Sequence, residues 1–526
     1  MNALQEMDKR IVSLFARYDS LLEHQDSLFM PVKENFEQLQ ADIAAVHRDA
    51  VVTKQDVSGP LADALFGHWT ELFELLEVRI KDDQSFPYRF VRGVIGRTNT
   101  LISLDSRDRD TKLEAIEKLH ECVPPVLDAV GDLAVNLPEL AREQTQAMLS
   151  SIAQLANDAP PKIAREFAGA PERRIDRVSG LIRANGEKAQ EVSDRLRATP
   201  VPEPAKMYHG LTYAETLQLI YGIGVDDLIA WHRDEVEQCN DRFLAVARRI
   251  DPQRDPLTIL DQDLGPYSTP EEMLEAGKRL VPFCREKALE YITLPPGEEC
   301  KVWETPEHLR ETYPWGGYWG GNTLNGELHG AVFLNKWNYR AVTKGWVELN
   351  AVHECYPGHH AHAVKTAAAK MPLTFKAATL TARSSSHSEG VAHRSETLMQ
   401  DIFNDAFPLF VAYRRLHTSV RIWADLEMFH FNHGREPAVQ LYMKYMGLDR
   451  LTATGQAKSQ EATPGYFTIY YYGMKALEKL QKECGWNDKD FTELIFSAGK
   501  VSLGTVRKLV YMQAGDRKKL LEEFYA

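Results

Sequence analysis

Apolar residues that recur at spacings of three and four along the first two hundred positions constrain this chain most, because only an α-helix turns such a spacing into one continuous face. Ile11, Leu14, Phe15, Tyr18, Leu21 and Leu22 make one such stripe, and others run from Leu61 to Val78, from Leu113 to Val135 and from Met148 to Leu155. These are packing faces and carry no chemistry. Thr199-Pro200-Val201-Pro202-Glu203-Pro204 cannot continue a helix, since each proline restricts its own backbone and that of the residue before it. It predicts a boundary between an N-terminal helical region, 1–200, and a second region, 201–526. At roughly 100 to 200 residues per domain, the length allows about three units, which helical layers can merge.

The second region is helical with one interruption. Thr212-Tyr213-Ala214-Glu215 has capping-box spacing and opens a helical stretch to about Ile250. Ser268 or Thr269 before Pro270-Glu271-Glu272 starts another, with proline at the tolerated first position. From Leu294 to Tyr339 the pattern changes: Pro295-Pro296-Gly297 and Pro314-Trp315-Gly316-Gly317-Tyr318-Trp319-Gly320-Gly321 break helical periodicity, while Ala331-Val332-Phe333-Leu334-Asn335 suits a short strand. The aromatic-glycine run reads either as a substrate-side loop or as a packed connection. Helices resume after Tyr339, and Trp346, Leu349, Asn350 and His353 share one face. The expected fold is mainly α, multi-helix, with a small β-element beside the helix that carries the next motif.

That motif is His353-Glu354-Cys355-Tyr356-Pro357-Gly358-His359-His360, followed by Ser388-Glu389-Gly390. Two imidazoles and carboxylates in one short region suit a catalytic zinc, which takes three protein ligands and leaves a fourth position to water. A Glu beside the first His is placed as a general base. The usual helical form, H-E-x-x-H, is absent, and the second His comes at i+6 or i+7. An unbroken helix would bring His360 back over His353. Pro357, however, cannot donate to the carbonyl of His353 and crowds that turn, so a bulge there is expected, with His359 taking the i+4 ligand's place. Six of the 17 histidines, His353, His359, His360, His362, His387 and His393, fall within 41 residues, as suits a metal or proton-handling region.

H-E-x-x-P-G-H-H, the Glu389-Gly390-Val391-Ala392 segment, Ala462-Thr463-Pro464-Gly465 and an apolar segment with Gly499 and Leu503 occur in order. Together, from about Gly316 to Leu509, they resemble the DUF885 family of mostly helical, zincin-like proteins described as metallopeptidases. The resemblance implies zinc, or another divalent metal, on His353, His359 and Glu389, with Glu354 as general base and acid. Tyr470, which the family pattern keeps, is the first choice for an oxyanion donor, with His360 or His393 behind it. An edge strand for substrate pairing is also expected of such folds, and 331–335 is its candidate. The chain departs from the family pattern at Val391 and Arg394, where Trp and Tyr are usual, at Tyr466 and Tyr471, where Gln and Lys are usual, and at Phe429, where His is usual.

Glu396 and Asp425 are candidates to accept a hydrogen bond from a ligand His, and Arg394 and Arg507 to bind a substrate carboxylate. The expected activity is hydrolysis of an amide or peptide bond in a short peptide or small molecule. Two alternatives stay open: a zinc enzyme for a specialised non-peptide substrate, and a non-catalytic helical binding protein with a degenerate site. A net charge of −13 argues against nucleic acid or an anionic membrane surface as partner. No apolar stretch of ~20 residues provides a membrane span. Six scattered cysteines without a C-x-x-C pair read as reduced thiols, and the N-terminus lacks a basic segment leading into an apolar one, so a cytoplasmic location is expected. Cys355, two residues from His353, would face away from the metal.

Overall fold

The computed structural model describes residues 2–18, 28–103, 105, 107–202, 211–307, 310, 313–377 and 382–526. Leu21, Leu22, Glu203 and Pro204 of the expectations above lie outside them. The architecture is mainly helical with one three-stranded sheet. The predicted stripes become the faces of long helices: Pro60–Ser85 with Pro60 in its first turn, Arg109–Glu121 with Asp108 capping it, and Glu139–Glu166. The Leu113–Val135 stripe is two helices, because Pro124 and Pro125 fall in the first turn of a second one, Val123–Ala134. Thr212 and Glu215 close the expected capping box, but the helix they open soon widens at Thr216–Tyr221 and ends at Gly222, whose φ of 69° is left-handed. A separate helix covers Val225–Ile250. Thr269 rather than Ser268 caps Pro270–Ala288, accepting from the Glu272 N–H at 3.1 Å.

The apolar cores do not divide at the proline-rich segment. Ile11, Phe15, Leu65 and Leu72 share one core with Phe375, Phe496, Leu509 and Phe524. Each fully buried Leu or Phe contributes roughly 1.5–3 kcal/mol, so the first helices are bound to the last ones by the strongest term available. Buried Asp8 adds a polar tie, accepting from the Leu373 N–H, the Thr374 hydroxyl at 2.6 Å and Tyr525 at 2.9 Å. Helices between Tyr88 and Ala198 form a second core, against which Tyr313 and Trp319 pack. A third gathers Leu217, Leu228, Leu416, Tyr442 and Ile469.

The sheet has the order β1-β3-β2, with β1 Glu299–Glu304, β2 Gly317–Gly320 and β3 His329–Leu334. β1 pairs parallel with β3, from Glu299 opposite His329 to Glu304 opposite Leu334. β2 pairs antiparallel, from Gly317 opposite Phe333 to Gly320 opposite Gly330. The strand expected at 331–335 is therefore central and not the edge. Ala331 to Leu334 are apolar on both faces and buried, which suits a strand paired on both sides. The edge is made by the aromatic-glycine run instead. Gly316 allows this close approach, since a Cβ there would lie 2.1 Å from the Phe333 carbonyl. β1 was not expected, because Glu-Cys-Lys-Val-Trp-Glu has only two strong strand formers.

Candidate metal centre

Thr343 caps a helix, Lys344–Asn350, that leads into a widened π-turn at Ala351–Cys355, where the Tyr356 N–H bonds the Ala351 carbonyl at 3.0 Å. The Tyr356–Pro357 peptide is cis, and a new helix begins at His359. This break is the expected consequence of Pro357, which offers no N–H to continue the ladder. Gly358 is the residue that makes it compact: a Cβ there would sit 2.0 Å from the His353 carbonyl oxygen and 2.2 Å from that of Val352. His353 thus ends one helical segment and His359 starts the next, so their rings meet at 4.8 Å.

Glu389 comes from a third segment, Arg383–Leu398. Its neighbour Gly390 lies against Gly473 of the helix Thr468–Cys484, and a Cβ on Gly473 would come within 1.9 Å of the Ser386 carbonyl. Two glycines let these helices touch backbone to backbone and bring Glu389 beside Tyr466 and Tyr470. His353 Nε2 lies 3.5 Å from Glu389 Oε2, and His359 Nε2 lies 3.6 Å from Glu389 Oε1. One ligand atom from each of the three residues falls within 4.8 Å of the others.

A tetrahedral zinc with bonds of about 2.0–2.2 Å needs ligand atoms about 3.3–3.6 Å apart, so this donor set fits. Glu389 Oε2 is also buried without a hydrogen-bond partner, a costly state for a carboxylate unless a cation completes it. Burial alone would raise the Glu389 pKa, but the adjacent imidazoles hold it well below the usual carboxylate range. His353 Nδ1–H donates to Glu396 Oε1 at 2.7 Å, which turns Nε2 toward His359 and Glu389. His353, His393 and Glu396 form a second group of ligand type. There the His353 Nδ1 is already bonded and the His393 and Glu396 side chains are fully buried. The first group keeps a solvent-facing side, with His359 and Glu389 side chains 18% and 15% exposed.

Glu354 is half-buried and within electrostatic reach of His353 and Tyr318. The Tyr470 hydroxyl donates to that of Tyr466 at 3.3 Å, and its ring meets His393 edge-on. Burial raises the pKa of both phenols, followed by the charge of Glu389 for Tyr466 and by Tyr466 and then Glu389 for Tyr470, so both keep their protons. His360 does not face this space. Its Nε2–H donates to Glu298 at 2.8 Å, and its Nδ1 accepts from Tyr318 at 3.0 Å, so no nitrogen is left for substrate. His393 is fully buried, with Nδ1 3.3 Å from Glu396 Oε2 and Nε2 without a hydrogen-bond partner.

Asp425 lies elsewhere, accepting from Gln460, the Gly465 N–H and Thr468, and thereby holding the turn before Tyr466. Arg394 is consumed by Thr492, Gln481 and Asp488, and Arg507 by Glu483, so neither is placed to take a substrate carboxylate. His362 and His387 donate to the Gly499 and Ile495 carbonyls. Cys355 faces Cys300, with sulfurs 3.6 Å apart, and all six cysteines are free. Two neighbours of the site had no readable signal: Glu298, which accepts from His360, and Lys500, whose Nζ donates to His362 Nδ1 at 3.0 Å. Glu298 is held at about 2: burial raises its pKa, but His360, Tyr356 and Arg285 outweigh that by donating to it.

A family model described as a bacterial protein of unknown function, DUF885, matches residues 20–510. The match takes in most of the N-terminal helices as well as the motifs. Among solved structures, a candidate lipoprotein from Colwellia psychrerythraea superposes with a TM-score of 0.78 at 14% identity, covering 96% of this chain and 98% of that one. A candidate lipoprotein of unknown function from Shewanella oneidensis gives a TM-score of 0.66 at 14% identity, covering 97% and 98%. At such identity the likeness is one of fold. No curated protein matches the chain.

Proposed function

The chain belongs to the DUF885 family, and from that premise and the site's geometry we propose that it is a zincin-like, metal-dependent hydrolase of an amide or peptide bond. The observation that carries the reading is the Glu389 carboxylate: its buried Oε2 lacks a hydrogen-bond partner, and its two oxygens lie 3.5 Å from His353 Nε2 and 3.6 Å from His359 Nε2, each a spacing that tetrahedral ligands take. His353, His359 and Glu389 would hold the ion, with zinc first among divalent metals that accept these ligands. When bound, such an ion supplies Lewis-acid polarisation of a carbonyl and a water of lowered pKa.

The remaining work falls to the chain's own side chains. Glu354 takes a proton from the attacking water on a carboxylate oxygen and returns it to the leaving nitrogen. Tyr470 and Tyr466, both protonated phenols, are donors for the oxygen that gains charge. Glu396 keeps His353 in the tautomer that presents Nε2. Tyr318, on the edge strand β2, donates to His360, which Glu298 holds in place.

Metal analysis joined to a Glu354→Gln variant tests the reading. Zinc retained at one per chain with turnover lowered roughly 10²–10⁴-fold supports it; a protein that takes up no metal ends it. Tyr466, which stands where the family pattern has Gln and receives a hydrogen bond from Tyr470, favours a second reading with the same centre and a small non-peptide amide as substrate. Hydrolysis of small amides combined with inertness toward peptide libraries would select it. A cytoplasmic location remains our reading from the free thiols, and cell fractionation decides between it and the membrane anchoring that the names of the two similar structures indicate for those proteins.

A further inference from the structure

Arg414 and Arg421 stand seven positions apart on the helix Phe407–Asp425, hence on one face. Both are buried, at 8% and 5% exposure. Both guanidiniums lie against the Tyr470 ring, 5.8 and 5.7 Å from its centre, with Arg414 also over Trp346 and Arg421 over Phe467. Their neighbour Arg415 is paired with Glu478. Among the described residues neither Arg414 nor Arg421 has a carboxylate at ion-pair distance, and the Nε of each lacks a hydrogen-bond partner; Arg421 is hydrogen-bonded to the neutral phenol of Tyr442, which supplies no counter-charge. The nearby acids Glu389 and Glu396 are engaged by His353, His359 and His393.

An unpaired ion taken out of water costs several kcal/mol, and two like charges behind one ring add repulsion. Burial, then the charge of Arg414, lowers the pKa of Arg421. Arg92, an exposed residue of the helix Tyr88–Ser103, approaches from the N-terminal side: its Nη2 lies 3.5 Å from the hydroxyl of a third phenol, Tyr313, and it is within electrostatic reach of Tyr466. It too has no carboxylate partner among the described residues. Two buried cations on the Tyr470 ring and a third beside Tyr313, in a chain of net charge −13, leave a counterion missing beside the candidate metal centre.

We propose that Arg414 and Arg421, with Arg92 as a third donor, form a carboxylate-binding subsite that holds the C-terminal carboxylate of a short peptide while an adjacent amide lies at His353, His359 and Glu389. The inference rests on the hydrolase reading and makes the enzyme exo-acting. A guanidinium fork matches a carboxylate with two parallel donors, and Tyr470 supplies an apolar face for the residue that bears it.

The test is calorimetric binding of N-acetyl-alanyl-phenylalanine and of its C-terminal amide to full-length Glu354→Gln protein, with and without zinc. The free acid should bind at least roughly tenfold more tightly, the low end of a charge-assisted hydrogen bond. Arg414→Gln and Arg421→Gln should each remove that preference, and Arg92→Gln should reduce it. Neither buried variant should melt lower than its parent, because no carboxylate is orphaned by the change. Equal affinity for acid and amide, a preference that survives in the Arg414→Gln/Arg421→Gln pair, or inorganic phosphate binding more tightly than the acid would overturn the proposal. Failure of a buried variant to fold would also count against it, since a cation kept for a ligand is dispensable to the empty protein; Arg92→Gln, at an exposed position, then carries the binding test. A protein that binds zinc and cleaves amides but ignores the C-terminal charge defeats the subsite alone. One that reads the charge yet takes up no metal defeats the hydrolase reading alone.

Discussion

The Glu396 carboxylate does at 2.7 Å what no ligand can do for itself: it decides which nitrogen of His353 is free. Glu396→Gln should therefore leave zinc stoichiometry at one but weaken the site roughly 10- to 100-fold, the usual cost of losing such support, as read by competition with a chelator. Lys500 is the other residue whose environment has a measurable consequence. It is buried, its Nζ donates to His362 Nδ1 at 3.0 Å, and burial lowers its pKa to about 7 despite the charge of Glu389. Below pH 7 folded and unfolded chains both carry the proton and the folded one bears the full cost of burying it. Between pH 7 and 10.5 only the unfolded chain holds the proton, so stability rises with pH by about 1.4 kcal/mol per unit. Lys500→Met should accordingly stabilise the metal-free protein more at pH 6 than at pH 9, measured as denaturant midpoints. A gain that is the same at both would contradict the assignment. The sequence pointed to His353, Glu354 and His359 because ligand types and spacing are local properties, and to Glu389 only through the ordered motifs that resemble the family. It pointed to Arg394 and Arg507 from residue type alone, and the structure spends both on other partners.

Two features at the scale of elements build the centre. One is the interrupted helix: Pro357 stops the hydrogen-bond ladder and Gly358 permits the carbonyls of Val352 and His353 to close in, so the i+6 His arrives where i+4 would otherwise be. The break was legible, since the missing N–H of proline is written in the sequence; the widened turn before it was not. The other is the contact between Gly390 and Gly473, which sets the distance from Glu389 to Tyr470. Gly473→Ala must push the two helices apart and should cost about 1–3 kcal/mol as an overpacking change, with zinc affinity falling alongside the melting temperature. Unchanged metal affinity in a destabilised variant would mean that the two helices are not what positions Glu389.

For the molecule as a whole, the division of the chain into cores overrides its division by composition. Residues of the first three helices sit in the same core as Phe496, Leu509 and Phe524, and Asp8 is tied to Thr374 and Tyr525. A fragment of residues 201–526 would expose that apolar surface and lose its packing partners. It should show no cooperative thermal transition, whereas the full chain should; a fragment that melts cooperatively and binds zinc would restore the boundary at the proline-rich segment as a domain boundary.

Helical periodicity, the cap at Thr212, the interruption at Pro357 and the His353-Glu354…His359 pattern of candidate ligands were determined by the sequence itself, because each depends on residues within a few positions of one another. Which strand forms the edge, which carboxylate orients His353, why His360 is turned away to Glu298, and which arginines have no carboxylate beside them among the described residues were decided by tertiary structure alone. Those outcomes depend on groups tens to hundreds of positions apart competing for the same donors, acceptors and buried space, and no local spacing records who wins.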